Sequence, residues 1–395
     1  MGLYRGLLTS SIASLAGKFI PTNVNKIVFY STPDLQDNTL YVFKHYYKHH
    51  RHHKELVWIV RDENIGTLIK REFPEVKVVK AFTPTATKEL AEAKVIFESD
   101  LLPFSPSSDQ IIFQLWHGLP GKRTGYAHPK RIRDFYKYFN RWITHFTTTS
   151  EIVTNAYITQ FRIDYEKFIM TGLPRNDAML KTSRKKARDM LEDILNIDLS
   201  QYSSLILYAP TYRFNSFDFD YHANLSLIKG VLQSKKMLQF LHNDNIALLI
   251  KPHKIVLKEI KHLKSNEPNR IFFLENSMFI ERKIYINEIF PAIDLLITDF
   301  SSIYFDYLLL NRPIIFYVPD YNELISRSGF LLDYLFFAPG DKPKDITSLI
   351  SDIKQNLRDD PNKTWRDYVK RAIFNVGNDI ESTKRVVKYV KKFTQ

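Results

Sequence analysis

The chain has 395 residues, 44% apolar and 25% charged, enough for two domains with full cores and too apolar for a disordered chain. It contains no cysteine, which excludes disulfides, thiolate metal sites and a cysteine nucleophile. The formal charge of +13 calls for an anionic partner: nucleic acid, an anionic membrane surface or a phosphate-rich substrate.

The N-terminal stretch "MGLYRGLLTSSIASLAGKFIP" carries Arg5 and Lys18 and is interrupted by Thr9, Ser10, Ser11 and Ser14. It falls short of the ~20 apolar residues that cross a bilayer. Residues 1–22 therefore read as an amphipathic segment lying on the domain or on a membrane surface.

From Lys26 onward, short β-branched or aromatic runs alternate with helix-length spacers. The first half offers "KIVFYS", "LVWIV", "VKVVKA", "KVIFES", "IIFQLWHG", "THFTTTS" and "KFIMTGLP". The second offers "SLILYAPT", "IALLIKPH", "RIFFLEN", "DLLITDFSS" and "RPIIFYVPD". Unbroken rather than alternating apolarity is what a parallel strand covered on both faces requires. The pattern predicts two doubly wound α/β domains, residues 23–190 and 195–375, divided by the polar region Arg175 to Ser204. A basic helix over 376–395 follows, with "KRVVKYVKK" at its centre.

In open α/β sheets ligands sit beyond the carboxyl ends of the strands, and the chemically active residues fall there. His117 ends one run; Thr211 and Arg213 in "YAPTYR" end another; Lys251 and His253 in "KPH" close a third. "TDFSS" brings Ser301 and Ser302 to a strand-to-helix turn. Cations, hydroxyls and imidazole N–H groups gathered in this way suit an anionic ligand. RRM, KH and zinc-finger patterns are absent, which sets nucleic acid aside, and so are the dinucleotide and P-loop glycine fingerprints. "DFD" at 218–220 lies in a polar loop with no preceding strand and reads as surface rather than as a metal site. His45, His49 and His53 share a helix face that Glu55 alone would close with a carboxylate, so the face reads as solvated.

Taken together, "WHGLPGK", "GLPRND", "YAPTYR", "KPH" and "TDFSSIYFDYLLLNRPIIFYVPD" resemble the CDP-glycerol glycerophosphotransferase family, whose members prime or polymerise wall teichoic acids and related capsule polymers. The resemblance runs from about Lys26 to about Gly340. It implies a GT-B fold: two Rossmann-like doubly wound parallel-sheet domains facing a cleft, acceptor chemistry in the first and the CDP donor held by the second.

Residue by residue, the resemblance makes His117 and His253 catalytic and puts Ser301 and Ser302 on the donor phosphates, with Thr298, Asp299 and Asp306 in the same motif. Arg213, with Thr211 in the same motif, and Lys251 join the donor side, and Arg327 and Gly329 fit an "R-x-G-F" segment. Trp116, Gly118, Lys122 and Arg123 are expected on the acceptor side. Gly121 departs from the family, which more often has a larger apolar residue there.

The implied reaction is attack of an acceptor hydroxyl on the β-phosphorus of CDP-glycerol with release of CMP. His117 is the expected base, because an imidazole titrates close to neutrality. No cofactor or metal is expected. The expected partners are CDP-glycerol, a lipid-linked saccharide or polyol-phosphate acceptor, and the anionic cytoplasmic face of the plasma membrane. CDP-ribitol as donor, a GT-B glycosyltransferase using a nucleotide sugar, and a non-catalytic polyanion-binding protein are the competing readings. The motifs do not speak to oligomeric state.

Overall fold

A computed structural model describes residues 20–102, 104–128, 139–211, 221–252, 257, 260, 270–327 and 329–394. The first lobe is built on a seven-stranded sheet: β1 (Asn23–Tyr30), β2 (Glu55–Val60), β3 (Lys77–Lys80), β4 (Ala93–Glu98), β5 (Ile111–Gln114), β6 (His145–Thr148) and β7 (Phe168–Met170). Its spatial order is β3-β2-β1-β4-β5-β6-β7. The second lobe holds β8 (Ser204–Tyr208), β9 (Ile246–Ile250), β10 (Ile271–Phe273), β11 (Leu295–Thr298) and β12 (Ile314–Phe316), ordered β10-β9-β8-β11-β12. Every pairing is parallel. Each of the twelve apolar runs in the sequence overlaps one of these strands, with β1, β2 and β4 beginning one to three residues before their runs.

Burial on both faces explains why the runs are unbroken. In β1, Ile27 and Phe29 face a cluster with Phe43, Trp58 and Phe97, while Val28 and Tyr30 face the opposite one. In both sheets the strand order reverses beside the first strand, at β1/β4 and at β8/β11. Such switch points open a crevice at the carboxyl ends of the strands.

Six helices matter below: α1 (Asp37–His50), α2 (Glu151–Phe161), α3 (Pro174–Lys181), α4 (Ile303–Leu308), α5 (Lys363–Ile373) and α6 (Ser382–Thr394). The C-terminal helix is not an appendage of the second lobe. Val386, Val387 and Val390 of α6 are buried in the first lobe's core among Phe29, Phe43 and Phe113, while Lys384, Lys388, Lys391 and Lys392 face outward. The chain recrosses to the first lobe where the Val376 N–H donates to the Thr149 carbonyl at 2.9 Å. Asp177 of α3 then caps α6, accepting from the Ser382 and Thr383 N–H groups at 3.0 and 2.7 Å. The basic residues at 384–392 are thus one face of an amphipathic helix whose apolar stripe completes the first domain. Among the described residues no helix is long and apolar enough to cross a membrane. The amphipathic segment expected over 1–22 lies almost wholly outside the described residues.

Candidate active site

His117 follows β5 by three residues, and its presentation depends on a strained turn. Trp116, just before it, has φ +50°, a region that side chains with a Cβ rarely adopt. Two polar residues hold the turn there. Gln114 Oε1 accepts the Trp116 N–H at 2.8 Å, and Asn38 Nδ2 donates to the carbonyls of Leu115 and Trp116 at 3.1 and 2.8 Å. The indole packs on Phe139, Phe146 and Phe161 and stacks on the His117 ring at 4.3 Å between centroids.

The His117 ring itself is exposed, and its Nδ1 lies 2.8 Å from the Ser99 carbonyl oxygen. A carbonyl only accepts, so Nδ1 carries the proton and the lone pair resides on Nε2. Beside this turn lies Glu98, wholly buried, which accepts from Gln114 Nε2 at 2.9 Å and from the Leu102 N–H at 3.0 Å. Burial pushes its carboxyl well above the usual range.

Opposite His117 the second lobe contributes its own strand ends. A cleft of about 680 Å³ is bordered by His117, Gly118 and Lys122 from the first lobe and by Thr211, Lys251, Ser301 and Ser302 from the second. A smaller chamber of about 250 Å³ adjoins it, lined by Gln36, Arg175, Asn276, Asn287 and Asp306. The two volumes share His117, Lys251, Ser301 and Ser302, so the imidazole, the ammonium and both hydroxyls stand where the chambers meet. The lobes approach closely here, since a Cβ on Gly118 would lie 2.8 Å from Ser302 Oγ. Burial lowers the Lys251 ammonium to about 8, only partly offset by Glu275.

Several expected contacts fall out differently. Thr298 is buried and donates its hydroxyl to the Ala209 carbonyl at 2.7 Å. Asp299 is buried and accepts the Thr211 N–H at 2.9 and 3.0 Å, while its own carbonyl receives the Tyr334 hydroxyl at 3.1 Å. Neither lines the cleft; both hold the 209–211 loop, and with it Thr211, against the Ser301 turn.

Asp306 is buried in an ion pair, its Oδ2 2.9 Å from Arg175 Nη2, and borders only the smaller chamber. Arg123 is drawn across to the second lobe, where its Nε donates to the Phe330 carbonyl at 3.1 Å and its N–H to Gly329 at 3.3 Å. It latches the lobes, and of the two cations only Lys122 lines the cleft. Gly121 has a physical explanation: a Cβ there would sit 3.2 Å from the Phe305 ring. Arg213, His253 and the Asp218–Asp220 stretch lie outside the described residues, Arg213 two positions after Thr211 and His253 directly after Pro252. Arg327 falls in a described helix, at its last position, and Gly329 holds φ +67° beside the Arg123 side chain.

Sequence reasoning missed the groups that fix these side chains: Asn38, Glu98, Ser99 and the Arg175 side chain. "GLPRND" was the only signal among them, and it carries no hint of which atoms Arg175 would meet. Among the described residues no three His, Asp or Glu side chains gather to hold a metal. The histidines of α1 cluster as ring pairs, His45 to His49 at 4.7 Å between centroids. Burial and the neighbouring His49, His50, Lys391 and Lys181 depress His45 to about 4.

Two Rossmann-like lobes facing a polar cleft, with an imidazole on one side and a cation and hydroxyls on the other, define the GT-B type of fold. A model of the family described as CDP-glycerol:poly(glycerophosphate) glycerophosphotransferase matches residues 13–392, and the chain belongs to that family.

Among curated proteins, the teichoic acid poly(glycerol phosphate) polymerase of Bacillus spizizenii is 28% identical over 389 residues, covering 91% of this chain and 92% of that protein. The teichoic acid poly(ribitol-phosphate) polymerase of the same organism is also 28% identical, over 86% of this chain but 52% of its own length. The chain thus spans about half of one of these relatives and nearly all of the other. Among solved structures, the wall teichoic acid polymerase TagF soaked with CDPG superposes with a TM-score of 0.78 at 19% identity, covering 99% of this chain and 94% of that one, a likeness of fold.

Proposed function

We propose that this chain transfers glycerol phosphate from CDP-glycerol to a hydroxyl of a membrane-linked saccharide or polyol-phosphate acceptor, releasing CMP, in the synthesis of wall teichoic acid or a related capsule polymer. The observation that carries the reading is the His117 imidazole, its Nδ1 tied to Ser99 and its Nε2 left basic, at the junction of two chambers with Lys251, Ser301 and Ser302.

The acceptor hydroxyl gives its proton to His117 Nε2 as its oxygen bonds to the β-phosphorus. The bond from that phosphorus to the bridging oxygen breaks, and the electron pair leaves with CMP. An alcohol is a weak nucleophile near neutrality, and a positioned base contributes about 10²–10⁴ in rate. Charge gathering on the departing phosphate is met by fixed donors, Lys251, Thr211, Ser301 and Ser302; the resemblance adds Arg213 and His253, which lie outside the described residues. Lys122 holds a phosphate of the acceptor.

The deciding measurement offers CDP-glycerol, CDP-ribitol and UDP-sugars in turn with a lipid-disaccharide acceptor and assays CMP or UDP. CMP release from CDP-glycerol is expected; turnover of a UDP-sugar alone would make the chain a glycosyltransferase. CDP-ribitol is the second reading, favoured by the likeness to a poly(ribitol-phosphate) polymerase.

The donors above supply the charge stabilisation without a metal, so EDTA should leave the rate within about twofold, against the several kcal/mol that a bound cation would contribute. Loss of activity in EDTA, restored by a divalent cation, would contradict this.

The enzyme is expected to work at the cytoplasmic face of the membrane. In support, α6 exposes Lys384, Lys388, Lys391 and Lys392, and the apolar, basic segment 1–19 precedes β1. Binding to vesicles containing phosphatidylglycerol should fall steeply as salt is raised from 0.05 to about 0.5 M, where the screening length shrinks to a few ångströms. Salt-independent binding would point to an apolar anchor instead.

A further inference from the structure

We propose that Arg175 is a positioning residue for transfer, its guanidinium joining the His117 turn to the helix behind Ser301 and Ser302 and so fixing the distance between base and phosphate site. The inference rests on the role given to His117 above.

Arg175 is the second residue of α3 and is only 2% exposed. Its guanidinium reaches three oxygens from three separate parts of the chain. Nη1 donates to Asp37 Oδ1 of α1 at 2.7 Å and to the His117 carbonyl at 2.8 Å, and Nη2 pairs with Asp306 Oδ2 of α4 at 2.9 Å. The Arg175 backbone reinforces the same turn, because its N–H donates at 3.0 Å to Asn38 Oδ1, and Asn38 Nδ2 holds the Leu115 and Trp116 carbonyls. Backbone and side chain of one residue therefore converge on the peptide units that aim His117.

On the far side Asp306 Oδ1 accepts from Asn176 Nδ2 at 2.9 Å, and Asn176 Oδ1 accepts from Asn287 Nδ2, also at 2.9 Å. Asn38, Asn176 and Asn287 are themselves buried. Asp306 lies on the helix that Ser301 and Ser302 lead into, so the ion pair anchors the donor-side hydroxyls and the imidazole turn to one group.

A buried ion network adds little net stability compared with apolar packing, because desolvation offsets the attraction. What it supplies is direction. A planar guanidinium fixes several acceptors at set angles, which an ammonium on a flexible stem does not. All three charged members border the smaller chamber or stand next to a residue that does, beside His117 and Ser302. A displacement of about 1 Å between reacting groups is enough to cost about 10² in rate.

Three measurements test the assignment. Arg175→Ala leaves a space beside the 250 Å³ chamber through which small cations can enter. Its kcat for CMP release should fall about 30- to 100-fold, with KM for CDP-glycerol changed less than about threefold, and millimolar guanidinium should restore much of the rate where equal sodium chloride does not.

Because Arg175→Ala leaves two buried carboxylates without their counter-ion and can unfold the chain, Asp306→Asn is the second variant. It keeps the size and the contact to Asn176 but loses the charge, and should lower kcat about tenfold at unchanged KM with Tm within about 3 °C of wild type. Third, with no substrate present, the ring ¹⁵N signals of His117 should shift in Asp306→Asn. Wild-type kcat in folded variants, a rate loss that only tracks a loss of folded protein, or unmoved His117 signals would each overturn the clamp. A wild type that releases no CMP would instead overturn the proposed donor, and the signals of His117 report on the clamp in either event.

Discussion

His117→Ala should lower turnover of CDP-glycerol by about 10²–10⁴ while leaving donor binding within about threefold, the signature of a lost base rather than a lost ligand contact. The ring is exposed and its one internal hydrogen bond goes to the Ser99 carbonyl, so its removal opens no core cavity. His117→Gln sharpens the test. A carboxamide N–H can still donate to the Ser99 carbonyl, but the side chain has no basic nitrogen, so turnover should fall as far as in His117→Ala. CMP release and calorimetric titration with CDP-glycerol read the two quantities separately. Lost donor binding with residual turnover would put His117 on the donor and the base elsewhere.

The second large effect is expected at Lys251. Charged hydrogen bonds to a bound phosphate contribute about 1.5–3 kcal/mol, so Lys251→Met should weaken CDP-glycerol binding about 10- to 100-fold. Burial holds this ammonium at about 8 instead of its ordinary 10.5, which adds a pH signature with two opposite signs. Donor affinity should be flat below pH 8 and decline above it as the ammonium deprotonates; Lys251→Arg, always charged, should abolish that limb.

Stability of the ligand-free protein runs the other way. Between pH 8 and 10.5 the unfolded chain holds a proton on this lysine that the folded chain has released, so this residue's contribution to stability rises with pH. At neutral pH the buried charge costs on the order of 3 kcal/mol, and Lys251→Met should raise Tm while it weakens the ligand. Unchanged affinity in Lys251→Met would remove the residue from the donor site.

The fold was legible for a specific reason. A strand covered on both faces must be apolar at consecutive positions, and a run such as Ile246–Ile250 has few other uses at five residues between a polar helix and Lys251-Pro252. The site was legible where it sits at strand ends: His117, Thr211, Lys251, Ser301 and Ser302 all border the cleft. Within the same motifs, proximity in sequence did not separate contact from support. Thr298 and Asp299 stand two or three residues from Ser301 yet turn inward, because the 209–211 loop beyond the neighbouring strand β8 offers a carbonyl to the Thr298 hydroxyl and an N–H to the Asp299 carboxylate. Arg123 adjoins Lys122 and reaches the other lobe instead of the cleft.

The alternation of strand and helix, the two lobes, the positive charge and the residue types at the strand ends are readable along the chain, since each is a local property of it. Tertiary structure alone decided that Ser99 orients His117, that Arg175 meets both Asp37 and Asp306, and that the C-terminal helix closes the first domain and not the second. Those contacts join residues far apart in the chain, and their distances depend on strand order and on how two separately built sheets face one another. A local pattern of polarity carries no record of either.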